Sequence, residues 1–149
     1  MVKDEMSLNS YQTFELFYLG NLQDVNLGKT ESRDLDVQLI DRVEEAQLEG
    51  RLPIFPKKEG AVKVNVSRHG IKVIDFQTKA ILQRHPLHAV AQIVYYTDSF
   101  AKSNLALKIG QVGRSVFDCH VFQCQTEDQA QMVCQSVRDM FDAITSGVI

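Results

Sequence analysis

Between positions 61 and 74 the chain alternates strictly. Val62, Val64 and Val66 are separated by Lys63, Asn65 and Ser67, a turn follows at Arg68-His69-Gly70, and Ile71-Lys72-Val73-Ile74 takes the pattern up again. Apolar residues at every second position fall on one face of an extended backbone, so this stretch is a hairpin with one face to bury and one to show to water. Two strands alone are marginal in water. The rest of the chain must therefore cover that valine face, and 149 residues suffice for one domain with a core but not for two comfortable ones.

The neighbouring segments supply the cover. Residues 12–22 (QTFELFYLGNL) are rich in β-formers and read as a strand, and residues 24–32, polar and containing Gly28, read as a loop. In residues 33–49, Leu35, Leu39, Val43 and Ala46 recur at helical spacing, Asp34 and Asp36 suit the positive end of a helix, and Gly50 is placed to end it. Pro53 and Pro56 forbid its continuation. After the hairpin, residues 79–84 form a short strand. The nearly continuous apolar run 89–96 (AVAQIVYY) suggests a strand covered on both faces, and residues 105–109 and 117–124 give two more. The total is about seven. The last helix spans residues 127 to about 146, with a capping-box pattern at Thr126 and Gln129, an apolar stripe of Ala130, Val133, Cys134, Val137, Phe141 and Ile144, and Gly147 as a stop.

Composition narrows the class. An apolar fraction of 44% with 23% charged residues is that of an ordinary globular domain. No apolar run approaches the ~20 residues that span a bilayer, and the first nine residues fit neither a signal nor a transit peptide. Three cysteines without paired spacing point to a reducing compartment. The net charge of −3 argues against general nucleic-acid binding, and Lys57, Lys58, Lys63, Arg68 and Lys72 read as solvated hairpin cations. Cys119, His120 and Cys124, and separately His85 and His88, are the only clusters suited to metal or nucleophilic chemistry. Cys119 and His120, adjacent on a strand, point to opposite faces, and no Gly-rich phosphate loop, serine elbow or His-Glu-x-x-His pattern is present, so neither an enzyme nor a cofactor or metal site is expected.

Four segments, in order, resemble the phosphotyrosine-binding (PTB) family. They are Phe14-Glu15-Leu16-Phe17-Tyr18-Leu19-Gly20, the hairpin from Val64 to Val73, His85-Pro86-Leu87 with the following apolar strand and Asp98, and His120-Val121-Phe122-Gln123-Cys124 with the helix ending Met140-Phe141-Asp142-Ala143. Within that family the chain is similar to the integrin-tail adaptors, on the stretches Glu45-Ala46-Gln47-Leu48-Glu49-Gly50-Arg51-Leu52-Pro53, His69-Gly70-Ile71-Lys72-Val73, Gln83-Arg84-His85 and Glu127-Asp128-Gln129-Ala130-Gln131.

The resemblance implies an α+β, pleckstrin-homology-like sandwich of about seven antiparallel strands in two near-orthogonal sheets. It has a helix inserted after the first strand and a C-terminal helix as cap, with residues 1–10 as a flexible tail and 11–149 as the domain. It implies a monomeric, non-catalytic adaptor of the cytosol, recruited to the inner face of the plasma membrane, with the nucleus as an alternative. Its partner would be an Asn-Pro-x-Tyr or Asn-Pro-x-Phe motif in an integrin β tail, or in a scaffold protein of the cerebral-cavernous-malformation type. The peptide would add as a strand beside Leu87, Val90, Ala91, Gln92, Ile93, Val94, Tyr95 and Tyr96, under Val137, Met140 and Phe141, with no need for phosphorylation. Arg68 and Arg84 are the candidates for contact with a phosphate or acidic group. A second reading implied by the shared fold is a phosphoinositide headgroup module.

Overall fold

The computed structural model describes residues 12–26, 34–110 and 115–147. The tail expected over residues 1–10, most of the loop 24–32 and the expected helix start at Arg33 lie outside those residues. The elements run β1 (Gln12–Leu22), α1 (Leu35–Leu48), β2 (Ala61–Ser67), β3 (Gly70–Asp75), β4 (Ile81–His85), β5 (Val90–Thr97), β6 (Ser103–Gly110), β7 (Phe117–Cys124) and α2 (Glu127–Thr145).

All seven strands are antiparallel and hydrogen-bond in the single order β4-β3-β2-β1-β7-β6-β5. The two sheets of the expectation are thus two halves of one sheet, joined through β1. The first half of β1 pairs with β2, from Gln12 opposite Val66 to Phe17 opposite Ala61, and its second half pairs with β7, from Phe17 to Leu22. The register slips between Tyr18 and Gly20, and Gly20 holds φ +138, a conformation that side-chain-bearing residues rarely adopt. That bulge is where β1 passes from one half to the other.

Folding at β1 brings the valine face of the hairpin against the second half of the sheet. Val62, Val64, Val66, Ile71 and Val73 share one cluster with Leu105, Leu107, Ile109 and Phe122, and α2 closes it with Ala130, Val133, Cys134, Val137 and Met140. Each aliphatic side chain taken fully from water here contributes about 1.5–3 kcal/mol. Helix α2 starts as its sequence dictates, because the Thr126 hydroxyl accepts from the Gln129 N–H at 3.0 Å. The return bond of the capping box is displaced by one residue: Gln129 Oε1 accepts from the backbone N–H of Gln125, not of Thr126.

A second cluster lies on the opposite face of the β5–β7 half. There α1 lays Leu39, Val43 and Ala46 over Leu19, Leu22, Val94, Tyr96, Ala106, Cys119 and Val121. The Asp34 side chain caps α1 by accepting from the Asp36 N–H, and Gly50 follows at φ +78. The β5–β7 half therefore carries a helix on each face, whereas both clusters leave the outer face of β2–β4 uncovered. Neither helix is long and apolar enough to cross a membrane.

Candidate functional site

Strand β5 is an edge. It pairs with β6 along one side, from Val90 opposite Ile109 to Thr97 opposite Ser103, and among the described residues no strand pairs with its other side. Such a margin offers backbone N–H and C=O groups as a template for a further strand. Alternation sorts the side chains. Ile93 and Tyr95, with Val90, are partly buried against the α2 cluster, where Phe141 joins them. Val94 and Tyr96 turn the other way into the α1 cluster. Gln92 also faces α1, its amide donating to the Asp36 carboxylate at 2.7 Å, so the start of α1 is tied to the edge strand. Ala91 is exposed.

The structure thus divides the residues expected to meet a peptide. Leu87, Val94, Tyr96, Val137 and Met140 are each less than a tenth exposed and belong to the core. Leu87 lies in the short 3-10 turn Leu87–Ala89 before β5, and Val137 and Met140 are the last two residues of the buried stripe of α2. Their side chains offer little surface. What remains beside the open margin is Val90, Ile93, Tyr95 and the half-buried Phe141, with Ala91 exposed and Gln92 tied to α1. Periodicity shows that half of a strand faces one way but not which half, so sequence alone does not separate Val94 from Ile93.

The two arginines also separate. Arg84 lines a cavity of about 330 Å³ with Asn65, Ser67, His69, Gly70, Ile71, Lys72, His85 and Pro86, and Arg68, exposed on the turn, is not among its walls. Lys72 is the cation that sequence reading did not couple to Arg84. Their positions, twelve residues apart, become neighbours only through the β3–β4 register, in which Lys72 stands opposite Arg84. Gly70 shapes this corner. At φ +118 it lies so close to the His85 carbonyl and Pro86 that any β-carbon would collide with them.

The remaining clusters are built for burial. Tyr18 Oη and His120 Nδ1 share a hydrogen bond of 2.9 Å, and the His120 and His85 rings lie 5.0 Å apart. His85 Nε2 meets Gln83 Oε1 at 2.8 Å, and His88 is exposed. Burial, with His85 as neighbour, pushes His120 down to about 4. Burial likewise pushes the Cys119 and Cys124 thiols up to about 12 and Cys134 to about 11, so all three are protonated, poor nucleophiles at neutral pH. Cys119 packs in the α1 cluster while the adjacent His120 faces Tyr18 on the other side of β7. Among the described residues no three His, Cys, Asp or Glu are grouped to hold a metal.

A family model described as "Beta-1 integrin binding protein" matches residues 3–148. The chain belongs to the β1-integrin-binding protein family. Two relatives named integrin beta-1-binding protein 1 are similar to it. The Mus musculus protein is 30% identical over 140 residues, covering 93% of this chain and 70% of the relative. The Bos taurus protein is 32% identical over 133 residues, covering 88% of this chain and 66% of the relative. The chain thus spans about two thirds of their length. Among solved structures, the C-terminal phosphotyrosine interaction domain of mouse APBB2 aligns with a TM-score of 0.62 at 22% identity, over 87% of this chain and 85% of that domain. That likeness shows the PTB-like fold. Membership of the family makes the chain a protein-binding adaptor domain and not an enzyme.

Proposed function

We propose that the open margin of β5 takes up an extended peptide as an eighth strand, and that the peptide carries an Asn-Pro-x-Tyr or Asn-Pro-x-Phe motif of the kind found in integrin β cytoplasmic tails or in scaffold proteins. One observation supports this above the others: an unpaired strand edge lies beside the terminal helix, with Ile93, Tyr95 and Phe141 half-buried along the seam. Residues upstream of the motif pair with β5 through main-chain bonds, and alternate side chains enter the seam under α2. Proline has no N–H to donate and ends the ladder, and the turn it favours lays the aromatic residue against the domain. An edge held by helices on both faces is already in its binding conformation, so little ordering cost attends the peptide's arrival.

Phosphorylation is not required in this reading. Ile93, Tyr95 and Phe141 include no cation, and a phosphate reader needs converging donors. The names of the two relatives, both integrin beta-1-binding protein 1, agree with a tail of that class as ligand.

Titration of a labelled Asn-Pro-x-Tyr tail peptide tests the reading. Phe141→Ala is expected to weaken binding roughly tenfold, or about 1.4 kcal/mol, with the melting transition retained. Ile93→Asp should abolish binding, with thermal melting checking its fold. Slower amide exchange confined to β5 and α2 should accompany the peptide in the wild type. Unchanged affinity in a folded Phe141→Ala protein, or protection at other strands instead, would remove the seam from the account.

A further inference from the structure

We propose that two copies of this chain associate through an apolar patch formed by the end of α1 and the β5–β6 turn, each copy seating Phe100 in a hollow of the other around a two-fold axis. The patch lies on the α1 side of the sheet, away from the α2 seam, and the association does not depend on the peptide reading.

Three of the four most exposed large apolar side chains among the described residues gather here. Leu48, the last residue of α1, is 87% exposed, and Phe55 and Phe100 are 52% each. The two rings pack edge to face with their centres 5.1 Å apart. Beside them is a hollow of about 320 Å³ whose walls include Leu48, Ile54, Phe100 and Glu44. Single exposed apolar residues are ordinary, but a contiguous set around a recess marks an interaction surface. Hydrogen bonds hold this patch outward. Asp98 accepts from the N–H groups of Phe100 and Lys102 at 2.8 and 3.0 Å and from the Asn104 amide at 2.9 Å, which fixes the turn. The Ile54 carbonyl accepts from Gln123 at 3.3 Å and the Pro53 carbonyl from Gln47 at 3.1 Å, which fixes the segment that carries Phe55. Rings presented on a fixed frame lose little freedom on docking.

Shape and charge select a second copy as the occupant. A two-fold contact requires one surface to carry both the projection and the recess, and the half-exposed Phe100 stands at the wall of the hollow. The other acid in that wall, Asp98, is engaged by the turn, and Glu49, next to Leu48, is paired with Arg51. Among the described residues neither Glu44 nor the exposed Lys102 has an ion-pair partner. Seating Phe100 in the facing hollow carries Lys102, two residues along the turn, toward the partner's Glu44, and the two-fold axis makes the same pair twice. A wholly acidic or wholly basic partner would meet one of these two groups with like charge. The patch is small against the roughly 800 Å² per partner of a standard interface, so the dimer is a weak one.

Analytical ultracentrifugation of the full chain under reducing conditions, from ~1 to ~300 µM, tests the proposal over the range in which a weak interface forms. The wild type should pass from monomer to dimer across that range. Phe100→Gln should lower the association constant roughly tenfold with its melting temperature unchanged, and Leu48→Gln, at another wall of the hollow, should act in the same direction. Glu44→Lys and Lys102→Glu should each weaken the dimer, and the two substitutions in one chain should restore it, because the swapped charges meet again across the axis. Asn-Pro-x-Tyr peptide should leave the dimer intact. A wild type that stays monomeric throughout, a dimer that survives both Phe100→Gln and Leu48→Gln, or a charge swap no better than either single variant would each overturn the proposal. So would assembly beyond the dimer, or a dimer dissolved by the peptide, which would put the contact at the β5 margin instead.

Discussion

His120 occupies a position in which a positive charge would be poorly solvated. Its ring meets the Tyr18 hydroxyl and the His85 ring, and burial together with His85 lowers its pKa to about 4, against a partial upward pull from Asp118. Burial lowers His85 as well. In the unfolded chain both histidines titrate near ~6.5. Between that value and about 4 the unfolded chain binds more protons than the folded one, so stability is lost as pH falls through this window. Urea unfolding should therefore show a loss on the order of 1–2 kcal/mol from His120 between pH 7 and pH 5. His120→Gln keeps a partner for Tyr18 and removes the titration. Its unfolding midpoint should vary less with pH than that of the wild type, and an identical pH dependence would locate the acid sensitivity elsewhere.

The elements show what a linear pattern reveals and what it conceals. The hairpin register, with Val64 opposite Val73, follows from alternation alone, and the limits of β1 and β7 agree with the strands read from sequence. Helix α2 announces itself by stripe and cap. Thr126→Ala removes the acceptor for the Gln129 N–H and should cost about 1 kcal/mol, seen as a lowered melting temperature. Strand β4 starts at Ile81, two residues later than the strand expected from residue 79, because Lys79, at φ +64, belongs to the turn. The apolar run of β5 has cover on two faces, as its composition suggests. Yet a run of that kind does not distinguish a central strand from an edge strand between two helices. Nor can it show that Lys72 and Arg84 meet, since pairing across β3 and β4 depends on a bulge between Val73 and Ile74.

At the scale of the whole molecule, the fold keeps its two surfaces separate. The β5–β7 half lies between α1 and α2 and ends in a bare margin, while the outer face of the β2–β4 half remains open.

The single unpaired side of β5 also sets an arithmetic limit. Backbone groups on one rail can be shared with one newcomer at a time, so two tails that lie down there are rivals however different their side chains. Occupancy would then follow relative abundance and dwell time, and the domain would act as an exclusive-or junction: engaging one receptor or scaffold means releasing the other.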